Sequence, residues 1–167
     1  VKVAHNPESN MKLASGVAPI PDLLKRGVTV GIGTDGCASN NDLDLFQEMD
    51  TLAKIHKVHA MDPTVLDAAT VLGMATRGGA KVLAMEDRIG VLAPGKQADI
   101  IVLDTNQPHL VPMYNPYSHL VYVFSGGDVR TTIVAGRVLM EDRRFVDLDV
   151  NQVMADVNEI ARTLRCG

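Results

Sequence analysis

An α/β fold follows from three features of this 167-residue sequence. Two apolar runs near the start, 1–4 and 28–32, flank a stretch with helix signals. Helical spacing dominates as far as residue 86, and from Asp87 the period changes toward short apolar runs separated by turn residues. Hydrophobic residues make up 46% of the chain, enough to build a packed core and to exclude disorder.

The first strand is Val1-Lys2-Val3-Ala4-His5, ending in His5 before Pro7-Glu8-Ser9-Asn10. In 20–27, Pro21 suits a first helical turn, Leu23 and Leu24 turn inward, and Gly27 ends the helix. Val28–Ile32 is then a buried strand leading through Gly33-Thr34 to Asp35-Gly36. Strand, helix, strand in this order is a βαβ unit with parallel strands. Its carboxyl end carries both His5 and Asp35, and ligands collect at that end of parallel sheets. Asp35 is therefore a candidate for chemistry, the alternative being a plain helix cap. A histidine and an aspartate converging there suit a metal site, or a base with a substrate clamp.

Residues 38–42 offer several caps for a helix carrying Leu43, Phe46, Met49 and Ala53 and continuing to about Ala60. His56 and His59, three apart, could share a face and a metal, but read rather as solvent-side residues near a helix C-terminus. Asp62 and Pro63 open a second helix that runs to Arg77, where Gly78-Gly79 interrupts it, and 80–85 form a further helical turn. Residues 88–96 read as a short strand ending in a Pro-Gly turn, and 98–104 as a strand apolar on both faces. A Pro-rich stretch leads to 118–124, helix or strand, with His119 either facing a site or satisfied in the core. Residues 129–140 form a hairpin around Gly136, and 149–165 an amphipathic helix with Val153, Val157, Ile160, Ala161 and Leu164 on one face.

The formal net charge is -4, and no basic cluster exceeds two adjacent residues, which argues against nucleic acid or an anionic membrane as a partner. No apolar run reaches the roughly 18 residues of a membrane span, and no signal peptide is legible. Cys37 and Cys166 lie far apart without zinc-ligand spacing and read as reduced thiols of a cytoplasmic protein. The chain begins at Val1 inside an apolar strand, from which a C-terminal piece of a longer protein is expected.

Three motifs carry a resemblance. They are His5-Asn6-Pro7-Glu8-Ser9-Asn10-Met11-Lys12-Leu13-Ala14-Ser15-Gly16, then Gly33-Thr34-Asp35-Gly36 with Ser39-Asn40-Asn41, then the segment from Gly90 to Ile100. In this order and spacing the chain resembles the metal-dependent amidohydrolase superfamily, and within it the 5-methylthioadenosine/S-adenosylhomocysteine deaminase branch. The resemblance implies the C-terminal part of a (β/α)₈ barrel plus part of a small β-sandwich. Barrel strands seven and eight, with their helices, would occupy 1–86, the sandwich segment 87–145, and a C-terminal helix 146–167. It implies one divalent metal, zinc first, with iron, manganese or nickel as alternatives. It assigns Asp35 as metal ligand, as proton acceptor from the metal's water and as a substrate contact, with His5 lining the pocket and Ser39 and Asn40 shaping its rim.

The implied reaction is hydrolytic deamination of an adenosine-type nucleoside, a small-molecule partner, by a homo-oligomeric full-length enzyme. The residue types suit it: a carboxylate beside an acidified water can take its proton as hydroxide adds to an electron-poor ring carbon. The family's first-strand His-x-His pair, mid-barrel metal histidine and acid/base glutamate have no counterpart in these 167 residues. One aspartate cannot hold a catalytic zinc, which takes about three protein ligands. The chain alone is therefore expected to bind metal weakly and to be inactive. Two alternatives remain: a related aminohydrolase or chlorohydrolase acting on triazines, guanine or cytosine, and an inactive fragment serving as a binding or assembly module.

Overall fold

Parallel pairing of the two N-terminal apolar runs organises the first half of the chain. The computed structural model describes residues 1–165, so Cys166, expected as a reduced thiol, lies outside the described residues. β1 (Lys2–His5) pairs in parallel with β2 (Thr29–Ile32), Lys2 opposite Thr29 and His5 opposite Ile32. The crossover that parallel strands require is supplied by α1 (Pro7–Lys12) and α2 (Ile20–Lys25). Proline stands in the first turn of each helix, and Gly27, at φ +75°, takes the left-handed conformation that ends α2.

α3 (Leu45–Ala60) starts later than its expected caps at 38–42. Those residues fold into a turn in which the Ser39 and Asn40 amides bond back to the Gly36 carbonyl, so they are unavailable to a helix. Asp44 caps instead, accepting from the Phe46 amide at 2.9 Å and, through its other oxygen, from the Gly126 amide at 2.6 Å. α3 buries Phe46, Glu48, Met49, Leu52, Ala53 and His56. The solvent-side expectation for His56 is thus overturned, while His59 is exposed.

The second helix also starts late, at α4 (Ala68–Gly73) with Asp67 as its cap, rather than at Asp62-Pro63. Lys57 Nζ donates to the Val65 and Leu66 carbonyls, both at 2.8 Å, which takes up acceptors that a helix over 62–67 needs. Asp62 turns the chain locally by accepting from the Thr64 amide and hydroxyl.

Gly78-Gly79 does not interrupt the helix. A π-helical turn (Met74–Gly78) runs straight into α5 (Gly79–Val82), and both glycines keep helical dihedrals. Their value is the absence of a side chain. A Cβ on Gly78 would sit 2.5 Å from the Val30 carbonyl oxygen, and one on Gly31 would sit 3.0 Å from Gly79 Cα. Helix and β2 therefore touch backbone to backbone. Gly78→Ala must push this helix off the strand, and we expect it to lower unfolding free energy by about 1–3 kcal/mol. Urea denaturation checks this, since an alanine that leaves stability unchanged or raised would show that the contact yields freely.

Residues 88–96 form turns and no strand. The Arg88 and Ile89 amides bond to the Met85 carbonyl, and Gly90, at φ +94°, folds so closely that a Cβ there would lie 2.6 Å from Ala80 Cβ. The Ser118–Phe124 segment is largely helical, within α6 (Pro116–Tyr122), which packs on α3 and α4, and the Phe46 and Phe124 ring centroids stand 6.2 Å apart.

Two compact units result, one of residues 1–97 with 104–128, the other of 98–103 with 129 onward. The second contains an antiparallel sheet in the order β3 (Ile100–Leu103), β4 (Val129–Val134), β5 (Arg137–Glu141), β6 (Arg144–Phe145). The predicted hairpin is β4–β5, turning through Ala135 and Gly136, both at positive φ. The predicted amphipathic helix is α7 (Val150–Arg165), whose Val153, Val157, Ile160 and Leu164 are exposed. No described helix is long and apolar enough to cross a membrane.

Candidate active site

The chain leaving β2 bends at Asp35, whose φ of +60° is left-handed, a conformation that aspartate tolerates better than most residues. The bend lifts the carboxylate into the open beyond the carboxyl ends of both strands. Two contacts fix it there: Ser9 Oγ donates to Oδ2 at 2.7 Å, and the Gly36 amide donates to Oδ1 at 2.8 Å. Ser9 lies in the first helical segment after β1, so this bond joins the segments that leave the two strands. Donation from Ser9, then from the Ser39 hydroxyl and the Gly36 amide, holds the Asp35 carboxyl below its ordinary 3.8. Asp35 is thus an exposed, ionised oxygen donor.

The other predicted residues divide between the rim and its support. Ser39 is half-buried beside Asp35, its one hydroxyl proton shared between the Asp35 carboxylate and the Gly36 carbonyl, whose oxygen lies 3.0 Å from Oγ. Asn40 is buried beneath the loop: its Nδ2 donates to Glu48 Oε1 at 2.7 Å, and its Oδ1 accepts from the Asp42 amide at 3.1 Å. Lys12 Nζ adds a second tie across the segments, donating to the Ala38 carbonyl and to Asn41 Oδ1.

His5, only 4% exposed, meets a partner the sequence did not suggest. Its Nε2 lies 3.2 Å from His56 Nε2, so one ring donates and the other accepts. Burial, and secondarily the His56 ring, lowers the His5 pKa to about 4; burial likewise lowers that of His56, helped by His59 and Lys57. Both rings are neutral near pH 7. The space beside His5, walled by Asn10, Met11, Val17 and Ile55, is about 10 Å³, room for no more than a water. His119 is half-buried, its Nδ1 3.2 Å from the Asn115 carbonyl oxygen of its own helix cap.

Glu48 is the polar residue that sequence reasoning passed over. It is fully buried on α3, where Oε2 accepts from the Glu8 amide at 3.2 Å and Oε1 from Asn40. Burial raises its pKa to about 7 against the opposing effect of these hydrogen bonds, with the nearby Glu8 charge adding to the rise. Glu8 in turn accepts from Thr51 Oγ1 at 2.9 Å. A signal existed: Glu48, Leu52 and His56 recur every four residues, which puts two polar side chains on the stripe that must face the core.

An anionic carboxylate with a spare lone pair on each oxygen is a fitting ligand for a divalent cation. It supplies one ligand only. Among the described residues no group of three or more His, Cys, Asp or Glu side chains converges to hold a metal.

Known proteins extend this geometry. The model of the Amidohydrolase family matches residues 1–139. The 5-methylthioadenosine/S-adenosylhomocysteine deaminase of Syntrophobacter fumaroxidans is 61% identical over 165 residues, 99% of this chain and 38% of that protein. The 5'-deoxyadenosine deaminase of Methanosarcina mazei is 53% identical over 98% of this chain and 38% of its own length. A crystal structure of an adenosine deaminase from Xanthomonas campestris with bound zinc superposes with a TM-score of 0.97 at 42% identity, covering all of this chain and 38% of that one. This chain therefore spans well under half the length of the relatives it matches.

Proposed function

Because this chain belongs to the Amidohydrolase family, we propose that it supplies the Asp35 corner of an enzyme that hydrolytically deaminates an adenosine-type nucleoside. The observation that carries the reading is 61% identity to a deaminase across 99% of the chain, Asp35 and its partner Ser9 included in that span. In this reading β1 and β2 are the last two strands of a (β/α)₈ barrel and the antiparallel sheet is part of an accompanying β-sandwich. The substrate is 5-methylthioadenosine, S-adenosylhomocysteine or a close analogue, and the metal is zinc, which the 42%-identical neighbour holds.

The net reaction replaces the ring amino group by oxygen: water adds at the carbon bearing the amine, ammonia leaves, and an inosine-type product remains. A divalent cation, when bound, supplies a nucleophile at neutral pH by acidifying water. Asp35 would hold that cation through one carboxylate oxygen and take up a proton at the carboxylate as the nucleophile forms, then return it toward the departing amine. Ser9 keeps the carboxylate aimed by its bond to Oδ2, and the Gly36 amide keeps Oδ1 in place. Ser39 contributes the rim beside it. His5 and Asn40 act from behind, His5 as a wall backed by His56 and Asn40 by fixing the loop.

The test is a chimera that joins this chain to the remainder of the Syntrophobacter fumaroxidans deaminase. Ammonia release is measured on 5-methylthioadenosine, S-adenosylhomocysteine, 5'-deoxyadenosine, guanine and cytosine, and chloride release on a chlorotriazine, alongside metal content and molecular mass in solution. Turnover confined to the nucleosides, with one zinc per subunit in an oligomer, is expected. Exclusive turnover of the triazine or a free base, or no turnover at all, would overturn the reading. The 167-residue chain by itself is expected to release no ammonia and to retain little metal.

A further inference from the structure

The segments leaving β1 and β2 are bonded directly by Ser9 and Asp35, and beneath that bond both are attached to one buried side chain. Glu48 Oε2 holds the Glu8 amide, one residue from Ser9, and Oε1 holds Asn40 Nδ2. Asn40 in turn closes the loop on itself, its amide donating to the Gly36 carbonyl at 2.8 Å, one residue from Asp35. Glu48 therefore reaches the Asp35 carboxylate by two routes, through Ser9 on one side and through Gly36 on the other, without touching it. Its own place is fixed by helix α3, where it has no exposed surface.

We infer that Glu48 is a positioning residue for Asp35, an inference that rests on the deaminase reading given above. The left-handed turn at Asp35 is the kind of strained backbone that persists only when its surroundings hold it. A carboxylate with two acceptor oxygens matches two donors, the Glu8 amide and the Asn40 amide group. Glutamine matches only one, because its NH2 would face a donor. Glu48→Gln thus keeps volume and burial and removes half of the tie.

The experiment uses the chimera defined above. Glu48→Gln is expected to lower kcat by about tenfold, as loss of a group orienting a metal ligand does, with KM within about twofold of the parent. Ser9→Ala is expected to do the same. If Glu48 acts through the Ser9–Asp35 bond, the double variant loses far less than the roughly hundredfold product of the two. Hydrogen exchange supplies a readout apart from turnover: Glu48→Gln should speed exchange in the peptide spanning 33–44 by about tenfold and leave 49–60 unchanged. Multiplicative losses with faster exchange confined to 33–44 would place the action on the Gly36 route, whereas an unchanged kcat, or faster exchange spread equally over α3, would overturn the inference in favour of a merely structural residue.

Should Glu48→Gln fail to fold, Asn40→Ala cuts the same tie from the loop side. Positioning predicts a fall in kcat at constant KM, whereas a rise in KM alone would assign Asn40 to substrate contact and sink the inference. A parent chimera that folds but releases no ammonia defeats the deaminase reading instead, and the exchange experiment then decides the role of Glu48.

Discussion

Asp35→Asn in the chimera is expected to reduce kcat by about 10³-fold or more while leaving the fold intact. Asparagine is isosteric, its oxygen can accept from the Gly36 amide while its NH2 donates to a reversed Ser9 hydroxyl, and it tolerates a φ of +60° as well as aspartate does, so stability should change by less than about 1 kcal/mol. What disappears is the negative charge and the ability to take a proton. A positioned base contributes about 10²–10⁴-fold, and a weakened cation adds to the loss. Alanine would be a poorer test, because it also removes the Ser9 partner. Three measurements check the expectation: kcat, metal content by elemental analysis, and thermal midpoint. Turnover within about tenfold of the parent, with metal retained, would remove Asp35 from the chemistry.

The second large effect is on stability against pH, and it arises from two buried groups of opposite sense. His5 has its pKa lowered from 6.5 to about 4, so the folded state holds it neutral where the unfolded chain protonates it. Its contribution is present above pH 6.5 and is lost as the pH falls toward 4. Glu48 is raised from 4.5 to about 7, so the folded state binds a proton that the unfolded chain has released. Its contribution is present below pH 4.5 and is lost as the pH rises through 7. Each amounts to roughly 3 kcal/mol over its window. Between pH 4.5 and 6.5 the two slopes oppose each other, and His56, lowered in the same direction as His5, tips the balance toward acid sensitivity.

Glu48→Gln should therefore unmask the histidines. Its unfolding free energy should fall more steeply below pH 6.5 than that of the parent, by up to about 3 kcal/mol toward pH 4, and should lose the parent's decline as the pH rises from 6.5 through 7. His5→Asn should do the reverse, flattening the acid limb. Urea titrations at intervals from about pH 4 to about pH 8 read these slopes directly. A uniform offset at every pH, with unchanged slope, would show that neither group titrates as its burial dictates.

Much of the scaffold was legible because local chemistry and global packing agree there. The runs ending at His5 and Ile32, the proline and glycine that bound α2, the turn at Gly136 and the amphipathic α7 each obey one dominant local rule. The place of Asp35, exposed beyond the carboxyl ends of two parallel strands, was legible from the apolar run before it and the strand–helix–strand order. The departures share a different cause. Asp44 prevailed over residues 38–42, and Asp67 over Asp62, because the rival segments found hydrogen bonds with Gly36 and Lys57 that no local pattern encodes. The strand expected at 88–96 gave way to turns closed by Met85 and pressed against Ala80. His56 and Glu48 looked like ordinary helix residues because their partners, His5 and Asn40, are 51 and 8 positions away.

The Ser9–Asp35 bond has a consequence for anyone who would transplant this corner. Residues 33–44 exchanged alone into another scaffold would arrive without the hydroxyl that aims the acid, and without the amide of Glu8 that anchors its base. The two excursions form a single inheritable cassette, and recombination crossovers placed between Lys12 and Gly33 should lower kcat by about tenfold whenever they bring in a residue without a hydroxyl at position 9.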